Sequence, residues 1–258
     1  MGIVLRKTIY LLGILFVASC QINSSPNAAK DVSRLGISQD SQVENLSFFL
    51  HTPSNLSSQR KYPLVVFLHG YGQDVSTSAS PGLRNWVSEV VQAKYPCFVL
   101  APQCPKGQKW VDTDWRLKAH TLPEKPTIWL EKATALILQT IKNYPIDTHR
   151  VYLTGLSMGG FGTWDLAMRN PHLFAALVPV CGGGDSTQAY RVAHIPTWIF
   201  HGAQDEVISV ERSRSMVRSL RRVGANPLYT EYSTLKHNSW DSAYSNPALY
   251  TWLFSQHR

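Results

Sequence analysis

At 258 residues, 44% hydrophobic and 16% charged, the chain is long enough for one well-filled domain, and its composition excludes a disordered or fibrous protein. The formal charge is +8. Its basic residues are scattered, and the one dense cluster, Arg212, Arg214, Arg218, Arg221 and Arg222, fits the solvated face of a single helix, so the surplus does not point to nucleic acid.

Arg6 and Lys7 precede an apolar run over residues 9–18, about half of the roughly 20 residues that a membrane span requires. Residues 1–19 therefore read as a signal peptide. The run ends in Val17-Ala18-Ser19-Cys20, which resembles the lipobox of bacterial lipoproteins. That resemblance implies export, cleavage before Cys20, lipidation of its thiol, and a protein anchored to a membrane of the cell envelope without spanning it. Without the leader, 23 basic residues face 17 acidic ones, a balance of +6 that suits a position near anionic lipid. Residues 20–45, rich in Ser, Asn and Gln, are expected to be a flexible tether, which leaves 46–258 for a single domain.

Residues 45–50 are compatible with an early strand, and 64–68 form an all-apolar run of the kind buried on both faces of a parallel sheet. It ends in His69-Gly70-Tyr71-Gly72. A helix with Leu83, Trp86, Val87, Val90 and Val91 on one stripe follows, closed by Pro96, and then an apolar strand over 98–101. Residues 102–125 show no period and are long for a connection, as a substrate-covering loop would be. A helix between Pro126 and Pro145 turns Leu130, Ala133, Ile137 and Ile141 inward, and the strand 151–153 leads into Gly155-Leu156-Ser157-Met158-Gly159-Gly160. Beyond a helix ending at Asn170-Pro171, strands are expected at 175–180, 197–200 and 228–232. Two more helices are expected, one striped by Val210, Ser213, Val217 and Leu220, the other opened by Pro247. Alternation of strand and helix predicts a mainly parallel sheet with helices on both faces, an α/β fold in one domain. The three remaining cysteines, Cys97, Cys104 and Cys181, have no metal-ligand spacing and are expected as buried free thiols.

Gly-x-Ser-x-Gly between a strand and a helix lifts the Ser157 hydroxyl out of a tight turn, with the helix amino terminus beside it. Such a nucleophile needs a base and an acid to orient that base. Asp205 and His237 each follow a strand end, on the rim where all the carboxyl ends of a parallel sheet lie. Histidine can take and return a proton near neutral pH, which makes His237 the candidate base and Asp205 the candidate acid, with Asp185, Asp241 and Glu206 as alternatives. The backbone N–H groups of Met158 and Tyr71 are the candidate oxyanion donors. His69 and His201 are expected to hold loops, while Trp110, Trp115 and Trp240 are candidates for an aromatic acyl pocket and Arg116 for a substrate carboxylate.

Four motifs together, His69-Gly70-Tyr71-Gly72, Gly155 to Gly160, His201-Gly202-Ala203-Gln204-Asp205 and His237-Asn238-Ser239-Trp240-Asp241, resemble the α/β-hydrolase superfamily. The likeness is to its exported carboxylesterase and phospholipase-like group, also labelled predicted peptidases, which is similar to feruloyl esterases and polyester depolymerases. This implies a serine carboxylic-ester hydrolase acting on short-chain or aryl esters through an acyl-enzyme, with no metal and no organic cofactor. A peptidase or thioesterase using the same triad is the nearest alternative, and a non-catalytic envelope-binding lipoprotein is an alternative of another class. The resemblance leaves the oligomeric state open and matches no motif between Cys104 and Lys125.

Overall fold

The computed structural model describes residues 32–37 as backbone, and 45–57 and 59–258 in full. The expected signal peptide, the lipobox and Cys20 lie outside the described residues. Among the described residues eight strands build one sheet: β1 (Val32–Ile37), β2 (Ser47–Thr52), β3 (Tyr62–Leu68), β4 (Phe98–Pro102), β5 (Ile146–Leu156), β6 (Ala176–Val180), β7 (Trp198–Gly202) and β8 (Leu228–Tyr232). Their order is β1-β2-β4-β3-β5-β6-β7-β8, with β1 and β2 antiparallel to their neighbours and the other six parallel. The expected α/β architecture is therefore the observed one.

Strand side chains alternate between two cores even where every residue is buried. Leu64, Val66 and Leu68 of β3, with Val151 and Leu153 of β5, enter one core together with helices α3 (Ile128–Asn143), α4 (Met158–Arg169) and α5 (Glu211–Arg222). Val65, Phe67 and Tyr152 face the other core, closed by α1 (Leu83–Trp86), α2 (Glu89–Lys94), α6 (Trp240–Tyr244) and α7 (Pro247–Phe254). No described helix is long and apolar enough to cross a membrane. Among the described residues Cys97, Cys104 and Cys181 are buried and free.

Three expectations are corrected. The stretch 20–45 is not all tether, because β1 lies within it and pairs residue by residue with β2 from Val32↔Thr52 to Ile37↔Ser47. Its Leu35 and Ile37 alternate with Arg34 and Gly36, a period-two signal too short to stand out among polar neighbours. The helix expected from 83 to 95 is two short helices, since the Ser88 hydroxyl accepts from the Val91 N–H at 3.4 Å and starts α2 afresh. Val90 is consequently turned to solvent, 83% exposed. Arg212, expected on a solvated face, is 1% exposed and belongs to the buried side of α5 with Ser213, Met216, Val217 and Leu220.

On the second face a buried polar pair links helix to sheet. Thr154 of β5 donates its hydroxyl proton to the Val178 carbonyl at 2.7 Å, so the Tyr244 hydroxyl, 2.9 Å away, donates to Thr154 Oγ1. Tyr244→Phe removes that one bond while Thr154 keeps Val178. It is expected to cost about 1 kcal/mol, read as a melting temperature lower by roughly 2–4 °C; an unchanged melting curve would show that the bond adds nothing.

Candidate active site

At the carboxyl end of β5 the chain turns through Ser157, whose φ of 54° and ψ of −118° lie in a region that non-glycine residues rarely occupy. Such a conformation costs on the order of 1–3 kcal/mol and persists only where the surroundings impose it. Here they do: the Ser157 N–H donates to the Val180 carbonyl at 2.9 Å, and the Ser157 carbonyl accepts from Gly160 N–H at 2.8 Å. A Cβ on Gly159 would sit 1.8 Å from the Leu68 carbonyl oxygen, and one on Gly155 would sit 2.3 Å from that of Gly159. The elbow glycines thus let the backbones of β3, β5 and α4 touch, which a side chain at either position forbids.

The loops after β7 and β8 are laced together before any side chain meets. Ala203 N–H donates to the Tyr232 carbonyl at 2.9 Å and Gln204 N–H to that of Leu235 at 3.0 Å. Gly202 has no room for a Cβ, with the Lys236 carbonyl oxygen at 2.3 Å from where it would be. This contact brings the loop bearing His237 over the one bearing Asp205. The Asp205 side chain, fully buried, receives His237 Nδ1 at 2.7 Å, and His237 Nε2 reaches Ser157 Oγ at 2.9 Å. Trp240 stands edge-on to the imidazole at 5.3 Å.

Burial pushes the Asp205 carboxyl up, but His201 and His237, with the Ile208 N–H, outweigh it and hold it well below the usual carboxylate range. Its Oδ1 accepts from the Val207 and Ile208 N–H groups at 2.9 and 2.8 Å, and Oδ2 also meets His201 Nε2 at 3.2 Å. A carboxylate so supplied is held ionised more firmly than a free one and can compensate a charged imidazole.

Met158 opens α4, so its N–H has no acceptor inside the helix and lies at the positive end of the dipole beside Ser157. Tyr71 lies in the turn after β3, braced by Gly70 N–H to Gln73 Oε1 at 2.8 Å and Gln73 N–H to the Gly70 carbonyl at 3.2 Å. The Tyr71 ring, half exposed, rests edge-on against Trp115 at 5.2 Å.

The other candidates separate. Asp185 accepts from Leu122 N–H at 2.7 Å and from Thr187 N–H at 2.9 Å, and so is spent on loop and cap. Asp241 pairs at the surface with Arg84 and Glu206 with Lys236. His69 is buried, its Nδ1–H donating to the Gly70 carbonyl at 2.7 Å while Nε2 accepts from Cys104 N–H at 2.9 Å. His201, also buried, takes Ser213 Oγ on Nδ1 at 2.7 Å and faces the Ile208 carbonyl with Nε2 at 3.0 Å. Trp110 is wholly inside the core, its Nε1–H donating to the His69 carbonyl, whereas Trp115 and Trp240 are half-buried at the rim. Arg116 is exposed and forks onto Asp114. Among the described residues one group of three possible metal ligands occurs, Cys181, Asp205 and His237, and two of these are already bonded to each other.

Two rim residues were not foreseen as a pair. Arg212 Nη1 donates to His120 Nδ1 at 2.7 Å, and both lie against Phe161, one turn beyond Ser157. The signal was present, since Arg212 precedes Met216 by four and falls on the apolar stripe, but its charge argued the other way. Burial and the Arg212 cation lower His120 from its ordinary 6.5 to about 4. A folded value below the unfolded one means that the unfolded chain binds the proton first, so stability falls as pH drops from about 6.5 to about 4 and levels off below. His69, also lowered by burial, adds a contribution of the same sign. His120→Gln is expected to flatten part of this slope in urea unfolding measured across that range; a slope identical to wild type would refute the assignment.

The Esterase family model matches residues 41–195. The chain is 29% identical over 204 residues to a bifunctional acetylxylan esterase/xylanase of Neocallimastix patriciarum, covering 79% of this chain and 27% of that protein. It is 31% identical over 186 residues to poly(3-hydroxyalkanoate) depolymerase C of Paucimonas lemoignei, covering 69% of this chain and 41% of that one. The crystal structure of a thermostable esterase superposes with a TM-score of 0.77 at 38% identity, over 88% of this chain and 63% of the other. The chain thus spans less than half the length of these two sequence relatives.

Proposed function

Because this chain belongs to the Esterase family and has the α/β-hydrolase fold, we propose that it hydrolyses carboxylic esters by acyl transfer through Ser157, His237 and Asp205. The observation that carries the reading is the unbroken relay from Ser157 Oγ through the imidazole to the buried Asp205 carboxylate, at 2.9 and 2.7 Å. Ser157 Oγ attacks the ester carbonyl carbon as its proton passes to His237 Nε2. The imidazolium that forms is held by Asp205, and the oxyanion by the Met158 and Tyr71 N–H groups. Collapse expels the alcohol with the proton from His237, and water repeats the sequence to release the acid.

Short acyl and aryl esters, including acetyl groups on sugars and hydroxyalkanoate polyesters, are the substrate class we infer, in keeping with what the two relatives are named for. Half-buried Trp115 and Trp240 at the rim give such groups an apolar surface. Ser157→Ala is expected to lower kcat on p-nitrophenyl acetate by roughly 10⁴–10⁶ and to abolish fluorophosphonate labelling, with Asp205→Asn about 10⁴ down. Full labelling of Ser157→Ala would remove the serine from the mechanism. A series of p-nitrophenyl esters beside feruloyl and acetyl-xylan esters would then rank the acyl groups.

We further infer export and attachment through a lipid on Cys20, on the strength of the charged, apolar and small-residue order before it. Cells fed labelled palmitate should yield a labelled, membrane-associated protein, and Cys20→Ser a soluble, unlabelled one. Label retained in Cys20→Ser would overturn the anchor.

A further inference from the structure

The connection from β4 to α3 is tied at both ends. At one end His69 takes the Cys104 N–H, and at the other Asp185 takes the Leu122 N–H and Arg169 donates to the Pro123 carbonyl at 2.5 Å. Its middle is gripped by Arg212, which donates from Nη2 to the Asp114 carbonyl at 3.1 Å and from Nη1 to His120 Nδ1 at 2.7 Å. Among the described residues Arg212 has no ion pair and its buried Nε has no hydrogen-bond partner. Its helix neighbours Arg214 and Arg218 do the ordinary thing, pairing at the surface with Glu231 and Glu211. Taking a guanidinium out of water without a directly paired carboxylate is costly, and the Asp114 charge offsets that burial only in part, so the position calls for a return.

The return lies one residue along the chain. Fixing the Asp114 carbonyl fixes the start of Trp115, whose ring braces Tyr71 while the Lys109 ammonium lies over its face at 5.0 Å. The buried Trp115 Nε1 has no hydrogen-bond partner among the described residues, so packing and the Asp114 anchor set the indole's place. We propose that Arg212 is a positioning residue for the oxyanion side of the site: its grip on Asp114 and His120 seats Trp115 against Tyr71 and thereby aims the Tyr71 amide. This rests on the reading of the Tyr71 N–H as an oxyanion donor. Full loss of such a donor typically costs about 10²–10³ in kcat, and loosening it costs less.

A double-mutant cycle tests it, with Arg212→Met, Trp115→Ala and the pair assayed on p-nitrophenyl acetate and each followed by thermal unfolding. Arg212→Met is expected to lower kcat about tenfold with KM within about twofold, the mark of an interaction made in the transition state, and Trp115→Ala, which also removes apolar surface from the rim, to lower kcat at least as much. The pair should be no slower than the slower single, because the two residues act in series. Losses that multiply in the pair, or a Trp115→Ala enzyme with wild-type kcat, would overturn the proposal. Should Arg212→Met fail to fold, Arg212→Lys, which keeps the cation but cannot hold both partners, decides in its place: an intermediate kcat with KM unchanged is expected, and a wild-type kcat would overturn the proposal. A wild-type protein without Ser157-dependent turnover would instead refute the esterase reading, so the two failures are separate.

Discussion

The Leu68 carbonyl oxygen occupies the space that a Cβ on residue 159 would need, 1.8 Å from where it would stand, and the rest of the site depends on that contact. It sets α4 directly on the ends of β3 and β5, which forces Ser157 into its positive φ and turns the hydroxyl toward the rim. The same approach brings the loop after β3, with Tyr71, beside the amino terminus of α4, with Met158. Ser157 and the Met158 amide are therefore placed by backbone contact, and the turn that carries Tyr71 is brought beside them.

Side chains complete the other half. The loops after β7 and β8 converge because Gly202 admits the Lys236 carbonyl, and the Asp205 carboxylate is then supplied by backbone N–H groups on one oxygen and imidazoles on the other. His201 serves this from inside the core, which explains why a histidine stands at that strand end at all. The site is thus built on sheet edges, with the connection from β4 to α3 beside it clasped at several points.

Much of this was legible from residue order. The elbow, the two later rim residues and the alternation of strand and helix are local signals, each needing only a few neighbours to be recognised. What escaped notice depended on distant partners. Arg212 lies on an apolar stripe, yet nothing nearby in the chain announces that the Asp114 carbonyl and His120, 98 and 92 residues earlier, will meet its guanidinium. Val90 continues the periodicity of Leu83 and Trp86, and only the fresh start at Ser88 rotates it outward. The first strand was hidden for a further reason: a short edge strand with Gly36 in it is held by backbone pairing, which leaves little trace in side-chain pattern.

That first strand also has a bearing on geography. Val32 pairs with Thr52, beside the end of the sheet where β4 begins, so the polypeptide enters the domain at the floor, opposite the lip that bears Ser157. If Cys20 is held in a bilayer as proposed, the leash up to Val32 reaches at most ~40 Å. A domain moored from beneath in this way would leave the lip that bears Ser157 free to face away from the lipid.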